Sequence, residues 1–129
     1  MSHTVKIETV FSDLNILKSA LEAKGWSLAQ KQRLRSYHNH DQRFYSFVAV
    51  NPDQGQYAYD IGIEVKGEKL ELFGDFFGGS LMQTLGENLS ELKKEYAYKT
   101  IEDEFAVQGY FVSKTVNANG TWTVEAEHA

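Results

Sequence analysis

Four carboxylates near the middle of the chain are the residues whose type and spacing could do chemistry. Two lie on a segment that alternates apolar and polar residues, and two lie on the segment that follows Gly67. If the two segments pair as a β-hairpin, the carboxylates share one sheet. Such a group could do acid–base work if burial raised the pKa of one member, or could hold a divalent cation. The four are Asp60, Glu64, Glu71 and Asp75.

A solvated sheet face is the alternative for this acidic group, and the sequence favours it. Lys66 and Lys69 lie between the acidic residues and balance their charge, and exposed ion pairs of this kind contribute little to stability. Asp60 is the exception, because it lies among apolar residues and next to Gly62, where backbone can approach closely. The four carboxylates therefore stay candidates for binding a ligand or a partner.

The histidines supply two weaker candidates. His38 and His40 would point to the same side of an extended segment, and neutral imidazoles bind zinc, nickel or copper. Apart from Asp41, nothing nearby supplies a third ligand, so a solvated turn is favoured and no metal site is predicted. His3 opens the first predicted strand. A nucleophilic role for the adjacent Ser2 lacks a supporting triad geometry, but His3 stays a candidate for binding.

Two tyrosines on the second predicted helix form an aromatic and basic group with neighbouring lysines. Tyr96 and Tyr98 lie close in sequence to Lys94 and Lys99, a combination that suits single-stranded nucleic acid. An acidic run at 102–104 follows directly, so packing of the helix face with the tyrosine hydroxyls at its rim is favoured. Both tyrosines are nevertheless candidates for contact with a ligand or a partner.

The composition restricts the class of protein. A chain of 129 residues with 42% hydrophobic residues predicts a single domain spanning 1–129. The net charge of −5 argues against general nucleic-acid binding, which needs a basic surface. The lack of cysteine excludes disulfides and thiolate chemistry, and no cofactor is predicted. Because no secretory signal and no run of about 18 apolar residues is present, we expect a cytoplasmic protein without a membrane role.

The periodicity of apolar residues predicts the elements that position these candidates. It indicates an α+β protein with a mostly antiparallel sheet, the order β-α-β-β-β-β-α-β-β, and two helices packed on one face. Ser12 is the predicted N-cap of the first helix, Gly86 is the point where the second helix bends or breaks, and Asn119-Gly120 is a two-residue hairpin turn. Predicted helices cover 13–24 and 81–107, and predicted strands cover 4–11, 31–37, 44–50, a hairpin within 57–77, 110–116 and 121–127.

Three segments of the chain resemble one protein family. They are Met1-Ser2-His3 followed by a strand and Asp13-Leu14; Tyr59-Asp60-Ile61-Gly62 with Leu70-Glu71-Leu72 and Asp75; and Lys94-Glu95-Tyr96-Ala97-Tyr98-Lys99 running to Gln108-Gly109-Tyr110. In order and spacing they are similar to the cyanobacterial, plastid and bacterial family catalogued as hypothetical chloroplast reading frame thirty-five, a domain of unknown function. The resemblance spans the chain apart from residues 26–56. It implies a compact cytosolic or stromal domain and carries over no catalytic residues.

No catalytic constellation outweighs its structural alternative, so the sequence favours a binding protein over an enzyme. We expect a protein-partner interaction module or an accessory subunit, with edge strands at both ends of the chain available for strand addition or for a homodimer. The alternative is a ligand-binding or hydrolytic domain that uses the carboxylates on the open sheet face. An interaction module should expose an apolar patch, whereas an enzyme should show a concave site with converging titratable groups.

Overall fold

A five-stranded antiparallel sheet forms the centre of the molecule. The computed structural model describes residues 5–8, 11–36, 43–55, 58–74 and 79–128. The spatial order of the strands begins at the first strand, passes through the fifth, fourth and third, and ends at the second, so the first and second strands are the edges. The strands are β1 (Val5–Glu8), β2 (Ser27–Arg33), β3 (Phe44–Val50), β4 (Ile61–Lys66) and β5 (Lys69–Gly74).

The remaining elements are three helices and a separate pair of strands. The helices are α1 (Leu14–Ala23), α2 (Gly79–Leu85) and α3 (Ser90–Val107). Two further strands, β6 (Tyr110–Val116) and β7 (Trp122–His128), pair with each other and with no other described strand. The α+β class, the antiparallel pairing and the order of elements are confirmed. The prediction of one sheet is wrong for the C-terminal strands, because local alternation reveals a strand but not its neighbours.

The N-terminus of α1 differs by one residue from the prediction. Asp13, not Ser12, is the N-cap, because its carboxylate accepts from the backbone N–H groups of Asn15 (2.9 Å) and Ile16 (3.2 Å). This is the usual way in which an Asp side chain satisfies unpaired donors in the first turn of a helix. The helix ends before Gly25, whose φ of +83° suits a residue without a side chain.

The predicted break near Gly86 is confirmed. Gly86 has φ +83°, and a Cβ atom there would lie 2.4 Å from Ser90 Oγ and 2.9 Å from the backbone nitrogen of Glu91. A single 3₁₀ turn, Glu87–Leu89, then leads into α3. The chain therefore forms two helices here, and the conformation at Gly86 leaves no room for a side chain. Leucines of both helices pack in the core against the sheet.

The least regular part of the sequence gives the largest error in strand position. The structure has β2 at Ser27–Arg33, where the pattern predicted a strand over 31–37. As an edge strand, β2 buries little of either face, so alternation is a poor guide to its limits. Its partner β3 determines its register, with Leu28 opposite Ala49 and Gln30 opposite Phe47.

Two apolar clusters cover opposite faces of the five-stranded sheet. The larger cluster joins Ile61 and Ile63 of β4 to Leu17 of α1 and Leu92 of α3, so the helices cover one face as predicted. Gly62 alternates with Ile61 and Ile63 and therefore lies on the other face. The smaller cluster is on that face, because Val48 and Phe73 are opposite Gly62. It consists of Leu34, Tyr45 and Val48, with Val50 and Phe73 packed against it.

The turn between β6 and β7 is longer than predicted. Gly120 N–H donates to Asn117 O (3.0 Å) and Asn117 N–H donates to Thr121 O (2.8 Å). Gly120 has φ +87°, which makes the loop a turn followed by a bulged glycine and not a two-residue turn. The hairpin itself is confirmed, with Val116 opposite Trp122 at its closed end.

Candidate functional site

Asp60 is buried at the start of β4, with its side chain 3% exposed. Its carboxylate accepts four hydrogen bonds. Arg35 donates from its backbone N–H (2.8 Å), from Nε (2.9 Å) and from Nη2 (2.7 Å), and Asn51 donates from its backbone N–H (2.9 Å). Arg35 therefore binds both carboxylate oxygens through the planar fork of its guanidinium group, a strong and directional arrangement. Asp60, which the sequence analysis separated from the solvated acidic face because of its apolar neighbours, is therefore held in the interior.

Arg35 extends this network into the loop that follows β3. Its Nη2 donates to Asn51 O (2.7 Å) and its Nη1 donates to Asp53 O (3.0 Å). The hydrogen bond to Asp60 raises the pKa of Arg35 above its ordinary value, while burial opposes that rise. The Asp60–Arg35 network therefore joins three segments, 34–36, 51–55 and 58–60, and gives Asp60 a structural role.

Glu64 and Glu71 lie elsewhere on the sheet. They are cross-strand partners, and Glu71 is also opposite Glu8 of β1, so the three residues form a row across three strands. The carboxylate of Glu64 accepts from both the backbone N–H (3.0 Å) and the hydroxyl of Ser46. Four residues of extended chain, about 13 Å, separate Asp60 from Glu64. The structure therefore brings Glu64 and Glu71 together but does not bring Asp60 to them.

The remaining polar candidates lie outside the described residues. These are His3, His38, His40 and Asp75. Within the described ranges, no group of three His, Cys, Asp or Glu side chains could hold a metal ion.

Tyr96 links α3 to the N-terminus of α1. Its hydroxyl accepts from the backbone N–H groups of Ser12 (3.1 Å) and Asp13 (3.0 Å), and its ring meets Phe11 edge to face at 4.9 Å. The side chain is buried. Tyr96 thus supplies a second cap for α1, which the sequence did not reveal because the two groups lie more than eighty residues apart.

Tyr98 belongs to an aromatic and charged cluster between α3 and the C-terminal hairpin, by which we mean β6, β7 and their turn. Its hydroxyl donates to Val112 O (3.3 Å) and its ring meets Trp122 edge to face at 6.2 Å. Lys114 Nζ lies 3.9 Å from the centroid of Trp122 and 4.9 Å from that of Tyr98. It also donates to the buried carboxylate of Glu95 (2.9 Å). Burial raises the pKa of the Tyr98 hydroxyl, and the negative charge of Glu102 adds to the rise.

Sequence reasoning missed the charged partners in both networks. Arg35 and Lys114 lie in the predicted strands 31–37 and 110–116, where a single basic residue carries no special signal. Neither pairs with a residue at helical or hairpin spacing. The one available signal was on β7, where Trp122 and Val124 share a face that needs a covering element. The structure shows that α3 covers this face only in part.

A groove remains between β7 and α3. It has a volume of about 310 Å³ and is mostly apolar; its lining residues are Lys94, Ala97, Tyr98, Ile101, Thr121, Trp122 and Val124. The first four belong to α3, and the last three are Thr121 and two residues of β7. The other strand of the hairpin, β6, packs closely on α3. On the rest of the C-terminal hairpin, Phe111 is 71% exposed and Val116 is 62% exposed. This groove, called the β7 groove below, and the exposed apolar residues form the candidate functional site.

The fold and this site define a small α+β protein with one five-stranded sheet and a separate two-stranded hairpin. The chain belongs to the family described as "Protein of unknown function (DUF1257)", whose model matches residues 20–124. This match includes both networks and the whole β7 groove. Neither a search of the curated proteins nor a search of the solved structures found a match.

No helix in the described ranges combines the length and the apolar character that a membrane span requires.

Proposed function

We propose that this protein acts by binding another protein, as an interaction module or an accessory subunit, and that the C-terminal hairpin is the binding surface. One observation carries the proposal: β6 and β7 form a two-stranded sheet that pairs with no other described strand and exposes Phe111 and Val116. A two-stranded sheet is marginal by itself, and exposed strand edges together with exposed apolar side chains are typical of interaction sites.

The carboxylate alternative has less support. An acid–base or cation site needs converging carboxylates with vacant oxygens, but four donors hold Asp60 and Ser46 holds Glu64. We therefore propose no enzymatic activity. A binding role for His3 and Asp75 remains a prediction.

Site-specific photo-crosslinking tests the proposal. The crosslinking residue p-benzoylphenylalanine replaces Phe111, and the matched control places it at Phe44, which is 65% exposed on β3 of the other sheet. After irradiation in native lysate, we expect the Phe111 variant to give a covalent adduct with one protein at saturating yield. The Phe44 variant should give none.

Two results would contradict the proposal. Equal adducts from both positions would mean that contact is non-specific, and no adduct from Phe111 at any salt concentration would mean that the hairpin has no partner. An adduct with a second copy of the chain would support the homodimer that edge strands allow, in place of a separate partner.

Three broader assignments belong to this proposal. We propose that the chain is one domain, that it acts in the cytoplasm or, if plastid-encoded, in the stroma, and that its relatives include the cyanobacterial and plastid family named above. The resemblance of the segments around Asp60 and Tyr96 supports the last assignment.

A further inference from the structure

The hydrogen bond that closes the C-terminal hairpin determines which backbone groups of β7 face outward. Asn117 N–H donates to Thr121 O across the strands. In an antiparallel pair, hydrogen-bonded and non-hydrogen-bonded residue pairs alternate, and Val116 is opposite Trp122 in the next pair. The backbone N–H and C=O groups of Trp122, Val124, Ala126 and His128 therefore point away from β6.

The β6 edge agrees with this alternation of inward and outward backbone groups. The same alternation turns the backbone groups of Val112 outward from β6, and Val112 O is the atom that accepts from the Tyr98 hydroxyl. The β6 edge is thus partly covered by α3. The outward groups of β7 lie beside the β7 groove, where α3 leaves space.

The two faces of β7 have different chemistry. Toward α3 it carries Trp122 and Val124, which line the β7 groove. On the opposite face it carries Glu125 and Glu127, which are exposed. An added strand places its side chains on the same two faces, about 4.8 Å away. The complementary strand therefore has apolar side chains on one face and positive side chains on the other, since opposite charges across neighbouring strands are favourable.

We propose that the β7 edge binds an extended segment of a partner protein in which apolar residues alternate with Lys or Arg. The inference rests on the proposed function and names the partner chemistry. The segment adds a third strand to the C-terminal hairpin, its apolar side chains enter the β7 groove over Ala97 and Ile101, and its cations meet Glu125 and Glu127.

A second copy of this chain fits the same edge poorly. Pairing of two β7 strands would bring Glu125 and Glu127 of one copy close to those of the other, and like charges on neighbouring strands are destabilising. The charge of the edge therefore selects a basic partner strand over self-association.

Two nine-residue peptides test the inference on the full chain by isothermal titration. In one, valine alternates with lysine, and in the other valine alternates with glutamate. We expect the lysine peptide to bind at least ten-fold more tightly, and increasing salt to reduce the difference because exposed charges are screened. The double variant Glu125→Lys with Glu127→Lys should reverse the preference. Equal binding of both peptides, or unchanged preference in the double variant, overturns the inference.

A matched pair of proline variants tests the backbone contact. Val124→Pro removes an outward N–H from β7 without breaking a hydrogen bond to β6, and Val112→Pro does the same on the β6 edge. Both valines are half-buried. Val124→Pro should weaken binding of the lysine peptide at least ten-fold, whereas Val112→Pro should change it less than two-fold. Thermal unfolding of each variant confirms that the hairpin persists, and equal effects of the two prolines overturn the inference.

The crosslinking experiment separates failure of this inference from failure of the proposed function. If the Phe111 adduct forms in both the parent chain and the Val124→Pro chain, the hairpin has a partner but the β7 edge does not receive it. If sedimentation shows a dimer that Val124→Pro abolishes, the occupant is a second copy and the inference is wrong. If no adduct forms in the parent chain, both proposals fail.

Discussion

The Asp60–Arg35 network and the C-terminal hairpin each contain a carboxylate with little exposure that is paired with a cation, but they use it differently. Asp60 accepts four hydrogen bonds, and its partner Arg35 reaches two further backbone carbonyls. Glu95 accepts a hydrogen bond from Lys114, whose ammonium group also lies over Trp122. The first arrangement joins three segments that flank the strands of one sheet, whereas the second connects a hairpin to a single helix.

The Asp60–Arg35 network stabilises the fold, whereas the C-terminal hairpin presents a surface. Around Asp60, the donors and acceptors are matched within the chain, so a ligand would have to displace existing contacts. Around β7, Trp122 is packed against Tyr98 and Lys114, while the β7 groove stays open. A partner binds more readily where hydrogen bonding within the chain is incomplete. The C-terminal hairpin is therefore a better candidate for binding than the acidic segment that contains Asp60.

The largest expected effect comes from breaking the first network. Asp60→Ala leaves Arg35 and the backbone N–H of Asn51 without their acceptor. Because the change removes a buried carboxylate that accepts four hydrogen bonds, two of them from backbone N–H groups, we expect a loss of about 3 kcal/mol in the free energy of unfolding. Urea denaturation monitored by circular dichroism measures it. Glu68→Ala in the exposed turn is the control, and a loss as small as that of the control would mean that the network contributes little.

The separation of interacting residues along the sequence explains which features of the fold and of the candidate site could be predicted. The break at Gly86 and the strand alternation around Ile61 depend on neighbouring residues, and both were predicted. Asp60 was recognised as unusual for its apolar surroundings, but its partner lies 25 residues away in a segment without a clear pattern. The separation of β6 and β7 from the main sheet depends on how α3 packs, which no local pattern encodes.

The second prediction concerns the close packing on the far face of the main sheet. Gly62→Ala places a methyl group 2.5 Å from the ring of Tyr45, and that ring also packs near Phe73. Because overpacking forces neighbouring groups to move, we expect a loss of about 2 kcal/mol. Thermal unfolding measures the effect. Gly55→Ala is the control, since its nearest atom would lie 3.5 Å away, and equal stability of the two variants would contradict this account.

The third prediction addresses the anchor of the hairpin. Lys114→Met removes the cation that pairs with Glu95 and leaves a carboxylate with little exposure, so we expect a loss of about 1–2 kcal/mol. Adding Glu95→Gln should recover part of it, because the remaining group is then neutral. A double-mutant cycle in urea measures the coupling between the two residues. A coupling energy near zero would mean that aromatic packing alone holds the hairpin.

The smallest expected effect is on the outer face of the hairpin. Phe111 is 71% exposed, so Phe111→Thr should change the free energy of unfolding by less than about 0.5 kcal/mol, as surface substitutions usually do. Threonine keeps the preference for an extended backbone, so the paired amides of β6 should keep their protection from hydrogen exchange. Phe105→Thr is the contrasting variant, because Phe105 is half-buried against Tyr110 with ring centroids 5.7 Å apart, and it should lose more stability. If Phe111→Thr proved the more destabilising of the two, Phe111 would belong to the folded core of the hairpin, and its exposure would no longer support a partner surface.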